Sequence, residues 1–477
     1  MNEFLLERST PEQQGVKSGS ILSFLQAVEQ CRSKDMGQDF HSFMMLRHGY
    51  VIAEGWWGPY QKEIPHILFS LSKSFTSTAI GFAVSEGLLS VEDLVVSYFK
   101  EEYPNPSGNW NKMRIKHLLN MSTGHVEDTT DFFFKREDGN WVKAFLEVPV
   151  EKEPGTHFLY NTGATYMLSV ILQRVTGQKL IDYLRTRLFE PLGIEKPVWE
   201  ECPMGYNTGG FGLSVRTEDI AKFGQLYLNQ GIWNGKQLLP KAWIEEATTS
   251  HISNGDNPES DWNQGYGYQF WRCRHDIYRG DGAFGQFCIV MPKEDVVIAI
   301  TGGMKDMQLP LNLVFEHLLP GITNETLTEG SDTTTLKEKL NSLQVMLPDG
   351  MKQSEIIPKI NGRCFPLRDN MYQFETITFQ FETDKILLKI LSKGKEQELE
   401  IGIGYWTKGF MENDRGKIPV MLTGIWQENT KLSLSCRYIE TPFADQMIVS
   451  FQNDQIQIAM KENVGFSEPT WNEVLGI

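Results

Sequence analysis

Apolar and polar positions along the first 320 or so residues follow two rhythms. "SILSFLQAVEQC" (Ser20 to Cys31) repeats apolar residues at helical spacing and predicts a helix. "FHSFMMLRHGYVIAEGWW" (Phe40 to Trp57) is two strand-like runs about Arg47-His48-Gly49, the pattern of a hairpin. "SVEDLVVSYF" opens on a helix start signal, and "MRIKHLLNMSTGH" predicts a short helix stopping at Gly124. "TGATYMLSVILQRVTG" (Thr162 to Gly177), "RTEDIAKFGQLYLNQG" and "PKAWIEEATTSH" predict further helices. "FGQFCIVMPKEDVVIAITGG" gives a second strand pair about Pro292 to Asp295. Strand pairs from the two ends must join in one sheet to bury their apolar faces, with helices on both sides. That predicts a mixed α/β domain over residues 1–320.

Beyond it the pattern changes. "PGITNETLTEGSDTTT" is polar and free of aromatic residues, so 321–335 is expected to be a linker. After a short helix near Leu336 to Leu343, alternating runs such as "MYQFETITFQFET" and "TKLSLSCRYI" take over. They predict an all-β, barrel-like or sandwich domain over 336–477.

One segment fits neither rhythm. "HILFSLSKSFTSTAIGFAVSEG" (His66 to Gly87) has a single charge between Ile67 and Ser85, that of Lys73, in a helix that the pattern buries. Ser70 lies three residues earlier, one helical turn away on the same face. A serine hydroxyl needs a base to become a nucleophile, and burial lowers a lysine's tendency to hold its proton. The plain alternative is a snorkelling lysine beside an N-capping serine. Tyr160, in "FLYNTGATYML", stands just before the next long helix, where a phenol can donate and accept a proton during acyl transfer.

Composition narrows the classes. Of 477 residues, 40% are hydrophobic and 22% charged, which suits a large folded core rather than disorder. A net charge of −16 without a basic run argues against nucleic acid or an anionic membrane surface as partner. Six scattered cysteines without zinc-ligand spacing are expected to be buried reduced thiols, and neither metal nor cofactor is implied. "MNEFLLERST" does not read as a secretory signal, and no apolar run is long enough to span a bilayer. A cytoplasmic protein is the expectation.

Residues 10 to 305 resemble the serine beta-lactamase and penicillin-binding-protein superfamily, in its class C, carboxypeptidase and esterase branch. The resemblance is carried by "TPEQQGV", "FSLSKSFTS", "IKHLLNMSTG", "YNTGATYMLSVILQRVTGQ", "FEPLGI", "GGFGLSVRTEDIAKFGQLYLNQG" and "GAFGQFCIVMPKEDVVIAI". It implies a central antiparallel sheet flanked by helices, with Ser70 as nucleophile, Lys73 as its activating partner and Tyr160 as proton relay. The C-terminal part resembles the barrel appended to some D-aminopeptidases and esterases of this superfamily, expected near the active-site mouth.

Two departures bear on substrate. Thr162 stands where the family's tyrosine loop has Asn, offering a hydroxyl in place of a carboxamide. The third motif, Lys-Thr-Gly or His-x-Gly, falls in "HDIYRGDGAFGQ", with its last glycine at Gly282 or, alternatively, Gly280. Neither alignment supplies the cation that meets a beta-lactam or D-Ala-D-Ala carboxylate. Arg279 is expected to be a solvated strand residue, with replacement of that cation as the alternative. The glycines also spell a dinucleotide fingerprint, but they run into a strand rather than a helix. They suit close backbone approach, with the Ala283 and Ser70 N–H groups as an oxyanion hole. No GxSxG elbow is present, while His66, His125 and His157 leave a Ser-His-Asp triad open. The expected function is hydrolysis of a small ester, amide or peptide through a Ser70 acyl-enzyme. The alternative is a penicillin-binding-like sensor with little or no turnover.

Overall fold

The computed structural model describes residues 6–32, 37–413, 416–452 and 455–476. Residues 1–5, on which the leader expectation partly rests, lie outside them. The main sheet has six antiparallel strands: β1 (Gln38–Arg47), β2 (Tyr50–Trp56), β3 (Trp271–Arg272), β4 (Tyr278–Gly282), β5 (Gln286–Met291) and β6 (Val296–Met304). Their order is β2-β1-β6-β5-β4-β3, so the two predicted hairpins do meet, through β1 and β6. Both faces are covered. Helices α2 (Ser72–Ser85), α3 (Thr162–Thr176) and α4 (Thr217–Leu228) contribute to the core on one face, and α1 (Ser18–Cys31) to the core on the other. Burial on both faces explains why β5 and β6 are buried at every position instead of alternating.

The helix expected at "SVEDLVVSYF" is only a 3-10 turn, Val95–Tyr98. Its backbone is used elsewhere: Val95 N–H donates to Met113 O (2.9 Å), and Asp93 accepts from Ser90 N–H and Tyr98 Oη. The next short helix, Ile115–Leu119, stops before Gly124.

A further helix, α5 (Ser331–Asn341), begins inside the stretch expected as a linker. Its Leu336, with Leu343 and Val345, joins the α1-side core of the main sheet. The earlier part of that stretch is also held, because Thr323 N–H and Leu327 N–H donate to Gly15 O and Glu12 O.

Ten strands then form a nearly closed barrel-like sheet: β7 (Cys364–Pro366), β8 (Phe374–Phe381), β9 (Lys385–Ser392), β10 (Lys395–Ile403), β11 (Thr407–Asn413), β12 (Gly416–Glu428), β13 (Lys431–Tyr438), β14 (Ala444–Gln452), β15 (Gln455–Glu462) and β16 (Asn472–Gly476). A bridge between Leu367 and Gly476 ties its first strand to its last. Here the strands bury every second residue along much of their length, as a sheet with one dry face must. The protein is thus a mixed α/β domain joined to a nearly closed, barrel-like all-β sheet.

The barrel packs on the main domain through hydrogen bonds, ion pairs and aromatic contacts. Ile67 N–H donates to Glu440 O (2.8 Å), and Arg437 Nη2 meets Asp39 Oδ2 at 2.8 Å in a buried ion pair.

Candidate active site

Ser70 sits in the 3-10 turn Phe69–Leu71 that leads into α2, and its residue remains partly open to solvent. Residues Ser72 through Ala83 are all buried, so the lone lysine of the sequence pattern does point into the interior. Lys73 is 1% exposed. Its Nζ lies 3.0 Å from Ser70 Oγ, 3.2 Å from Thr162 Oγ1 and 2.8 Å from Gly210 O. Burial lowers the Lys73 pKa to about 7, against the opposing pull of the Asp128 and Asp281 carboxylates. Near neutral pH a large fraction is then the free amine. A neutral amine has two N–H donors and one lone pair. Gly210 O can only accept, so with a second N–H on Thr162 Oγ1 the lone pair is left facing the Ser70 hydroxyl.

Tyr160 faces the same amine, with Lys73 Nζ 4.8 Å from the centre of its ring, and Ser70 is close enough to act on its titration. The ring is stacked on Trp271 of β3 (5.3 Å, 18°). Burial first, and then the Asp281 charge, drives the phenol pKa upward. Tyr160 is therefore held as a neutral donor, and of the two groups only Lys73 is free to lose its proton near pH 7.

Thr162 supplies its hydroxyl to Lys73, while its N–H donates to the Asp128 carboxylate (3.2 Å) at the start of α3. Asp128 also accepts from Thr130 N–H at 2.9 Å, which fixes the loop beneath the site. Neighbouring Asn161 turns the other way, accepting from Thr129 Oγ1 (2.8 Å) and Gly163 N–H (3.1 Å).

Strand β4 completes the site. Gly280 and Gly282 share one face, turned to the nucleophile turn. A Cβ on Gly280 would lie 2.5 Å from Ser74 Oγ, and one on Gly282 would strike Leu68 O and approach Leu71 N to 3.1 Å. No side chain fits at either glycine, so the family's Lys or His has no room here. Gly282 is the one pressed against the Leu68–Leu71 backbone, the turn that carries Ser70.

Arg279 is not the solvated strand arginine expected from sequence. It is fully buried, with Nε on Asp281 Oδ2 (2.8 Å) and Nη1 on Asp261 O (2.7 Å) and Cys273 Sγ (2.9 Å). Its guanidinium lies over Trp262 at 4.4 Å. Burial raises the Asp281 carboxyl, and the adjacent guanidinium pulls it back.

Two of the three candidate histidines, His66 and His125, are engaged elsewhere. His66 Nε2 pairs with His41 Nδ1 (3.1 Å) and His125 Nδ1 with Thr123 Oγ1 (2.9 Å), and burial lowers the pKa of His66 and of His125 to about 4. The six cysteines are free; Cys202, Cys273 and Cys288 are buried as expected, but Cys31 and Cys436 are half-buried and Cys364 is exposed. Among the described residues no cluster of His, Cys, Asp and Glu could hold a metal ion, and no helix is long and apolar enough to cross a membrane.

Sequence reasoning missed Asp128, Gly210 and Trp271. Gly210 lay within the quoted "GGFG" block, but a backbone acceptor has no side-chain signal to read. Asp281 had one: Arg279 and Asp281 at i and i+2 on a strand share a face.

The chain belongs to the beta-lactamase family, whose model matches residues 38–302. It is 25% identical over 323 residues to a 6-aminohexanoate-dimer hydrolase of Paenarthrobacter ureafaciens, covering 61% of this chain and 78% of that protein. A putative D-alanyl-D-alanine carboxypeptidase of Escherichia coli O157:H7 is 22% identical over 318 residues, 52% of this chain and 72% of the other. Among solved structures, the octameric penicillin-binding protein homologue of Pyrococcus abyssi shares the fold over 95% of this chain and 99% of its own, with a TM-score of 0.54 and 15% identity.

Proposed function

We propose that the protein is a serine hydrolase that cleaves a small ester or amide through an acyl-enzyme on Ser70. The observation that carries this reading is the buried Lys73 amine 3.0 Å from Ser70 Oγ, with its pKa lowered to about 7. Family membership and the hydrolases among its relatives support it.

Lys73 takes the Ser70 proton as Oγ attacks the carbonyl carbon. The carbonyl π electrons move to oxygen, and the Ser70 and Ala283 N–H groups hold that oxyanion. On collapse the bond to the leaving group breaks, Tyr160 gives it a proton, and Lys73 reprotonates Tyr160. Water then attacks the acyl-enzyme, passing a proton through Lys73 back to Ser70 as the acid leaves.

The absence of a cation in the third motif favours substrates without a carboxylate at that place. Gly280 leaves no room for one, and Arg279 of the same strand is spent in a buried ion pair with Asp281. Neutral esters and amides fit better than beta-lactams. Labelling with a fluorophosphonate and mapping the adduct tests the reading. Wild type is expected to carry it on Ser70 and Ser70→Ala to carry none; a folded wild type that stays unlabelled overturns it.

A further inference from the structure

Four phenylalanine rings from two domains meet beside the proposed oxyanion hole. Phe69 directly precedes Ser70, and Phe284 directly follows Ala283. Their rings meet edge to face with centroids 5.6 Å apart. From the barrel, Phe443 lies 6.0 Å from Phe69 and 5.6 Å from Phe284. Phe466 lies 6.0 Å and 5.0 Å from the same two. All five contacts are in the edge-to-face range that aromatic pairs favour.

Three features mark this as a built surface. Phe69 and Phe284 both have left-handed backbone (φ 46° and 66°), which a bulky residue adopts at a cost and keeps only where its surroundings hold it. The β4–β5 hairpin turns immediately after Ala283, with Gly282 already paired to Gln286, so the main sheet adds no further wall there. The two barrel loops are also tied together: Asn463 Nδ2 donates to Pro442 O and Ala444 N–H to Asn463 Oδ1, both at 2.8 Å. Phe443 and Phe466 are therefore carried on one braced edge. Yet Phe466 is 81% exposed, a large ring held in water against Phe69 and Phe284.

We infer that this four-ring wall is a substrate subsite that receives an aromatic or extended aliphatic group next to the scissile carbonyl, and that Phe443 and Phe466 make the barrel a determinant of specificity. The inference rests on the reading of Ser70 as nucleophile. Its ligand class is an uncharged ester or amide bearing an apolar group.

The test compares kcat/KM of the full-length protein for p-nitrophenyl hexanoate, phenylacetate and acetate. Wild type is expected to prefer the first two, and Phe466→Ala to cut the hexanoate-to-acetate and phenylacetate-to-acetate ratios about tenfold, the order expected for lost apolar contact in a specificity pocket. Phe466→Leu should restore most of the hexanoate preference. Phe410→Ala, at another exposed barrel ring, which lies 5.9 Å from Lys408 Nζ, should leave the ratios alone. Ratios within twofold of wild type in both Phe466→Ala and Phe443→Ala, in protein still labelled at Ser70, overturn the subsite but not the hydrolase. If wild type neither labels nor turns over, the hydrolase reading fails. Calorimetric titration with p-nitrophenyl hexanoate then decides the wall: weaker binding to Phe466→Ala supports it, and equal binding overturns it.

Discussion

The chemistry turns on how one buried amine shares its protons. Lys73 has three polar neighbours, and the surrounding protein lowers its pKa to about 7. The rate of Ser70 acylation should therefore rise with pH through a midpoint near 7, as the amine is freed. Asp128 opposes the lowering, because its negative charge favours the ammonium. Asp128→Asn keeps an acceptor for Thr162 N–H but removes that charge, so the Lys73 pKa should fall further. The acidic limb of kcat/KM then moves to lower pH, by about half a unit to one unit for a partly solvated charge at this range. A limb that stays in place or moves upward would show that Asp128 does not act on Lys73 through charge.

At the scale of elements, β4 does two jobs with its two faces. Its glycines let the strand press on the turn that carries Ser70, and its Arg279 and Asp281 form a buried ion pair on the other side. Removing one partner of such a pair leaves an uncompensated charge, which costs about 3 kcal/mol or more. Asp281→Asn should lower the urea unfolding free energy by about that much, whereas the double change Arg279→Met, Asp281→Leu should cost less. Equal losses would mean that the ion pair itself, rather than an orphaned charge, sets the stability. This strand also shows where sequence reading reached its limit. The SxxK spacing and both hairpins were legible because each is local, fixed by periodicity or by turn residues, whereas Tyr160 was singled out by the family resemblance. The environment of Arg279 was not, since its acceptors, Asp261 O and Cys273 Sγ, reach it from neighbouring segments of the fold. Gly210 O and Asp128 escaped for the same reason: α3, α2 and two loops must first pack before those groups meet one amine.

For the whole molecule, the composition shift near residue 320 shows that a second domain follows but not where the first core ends. Leu336 of α5, with Leu343 and Val345, completes the core under α1. A chain ending at residue 330 should expose that surface and melt well below one ending at 348. Each large apolar side chain removed from a core of this kind costs about 2–5 kcal/mol. Equal melting temperatures would place these residues outside the first domain's cooperative unit. The barrel's position at the active-site mouth was expected from family resemblance. Its four-ring contact with Phe69 and Phe284 could not be read, because the partners lie some 160 to nearly 400 residues apart in sequence. The measurement that bears most directly on the whole account is the rate of fluorophosphonate labelling as a function of pH, with the adduct mapped by mass spectrometry. The account predicts a single adduct on Ser70, forming at a rate that rises through a midpoint near pH 7 and is nearly abolished in Lys73→Met. An adduct on another residue, or a Ser70 rate that is flat across pH 5 to 9, would contradict it.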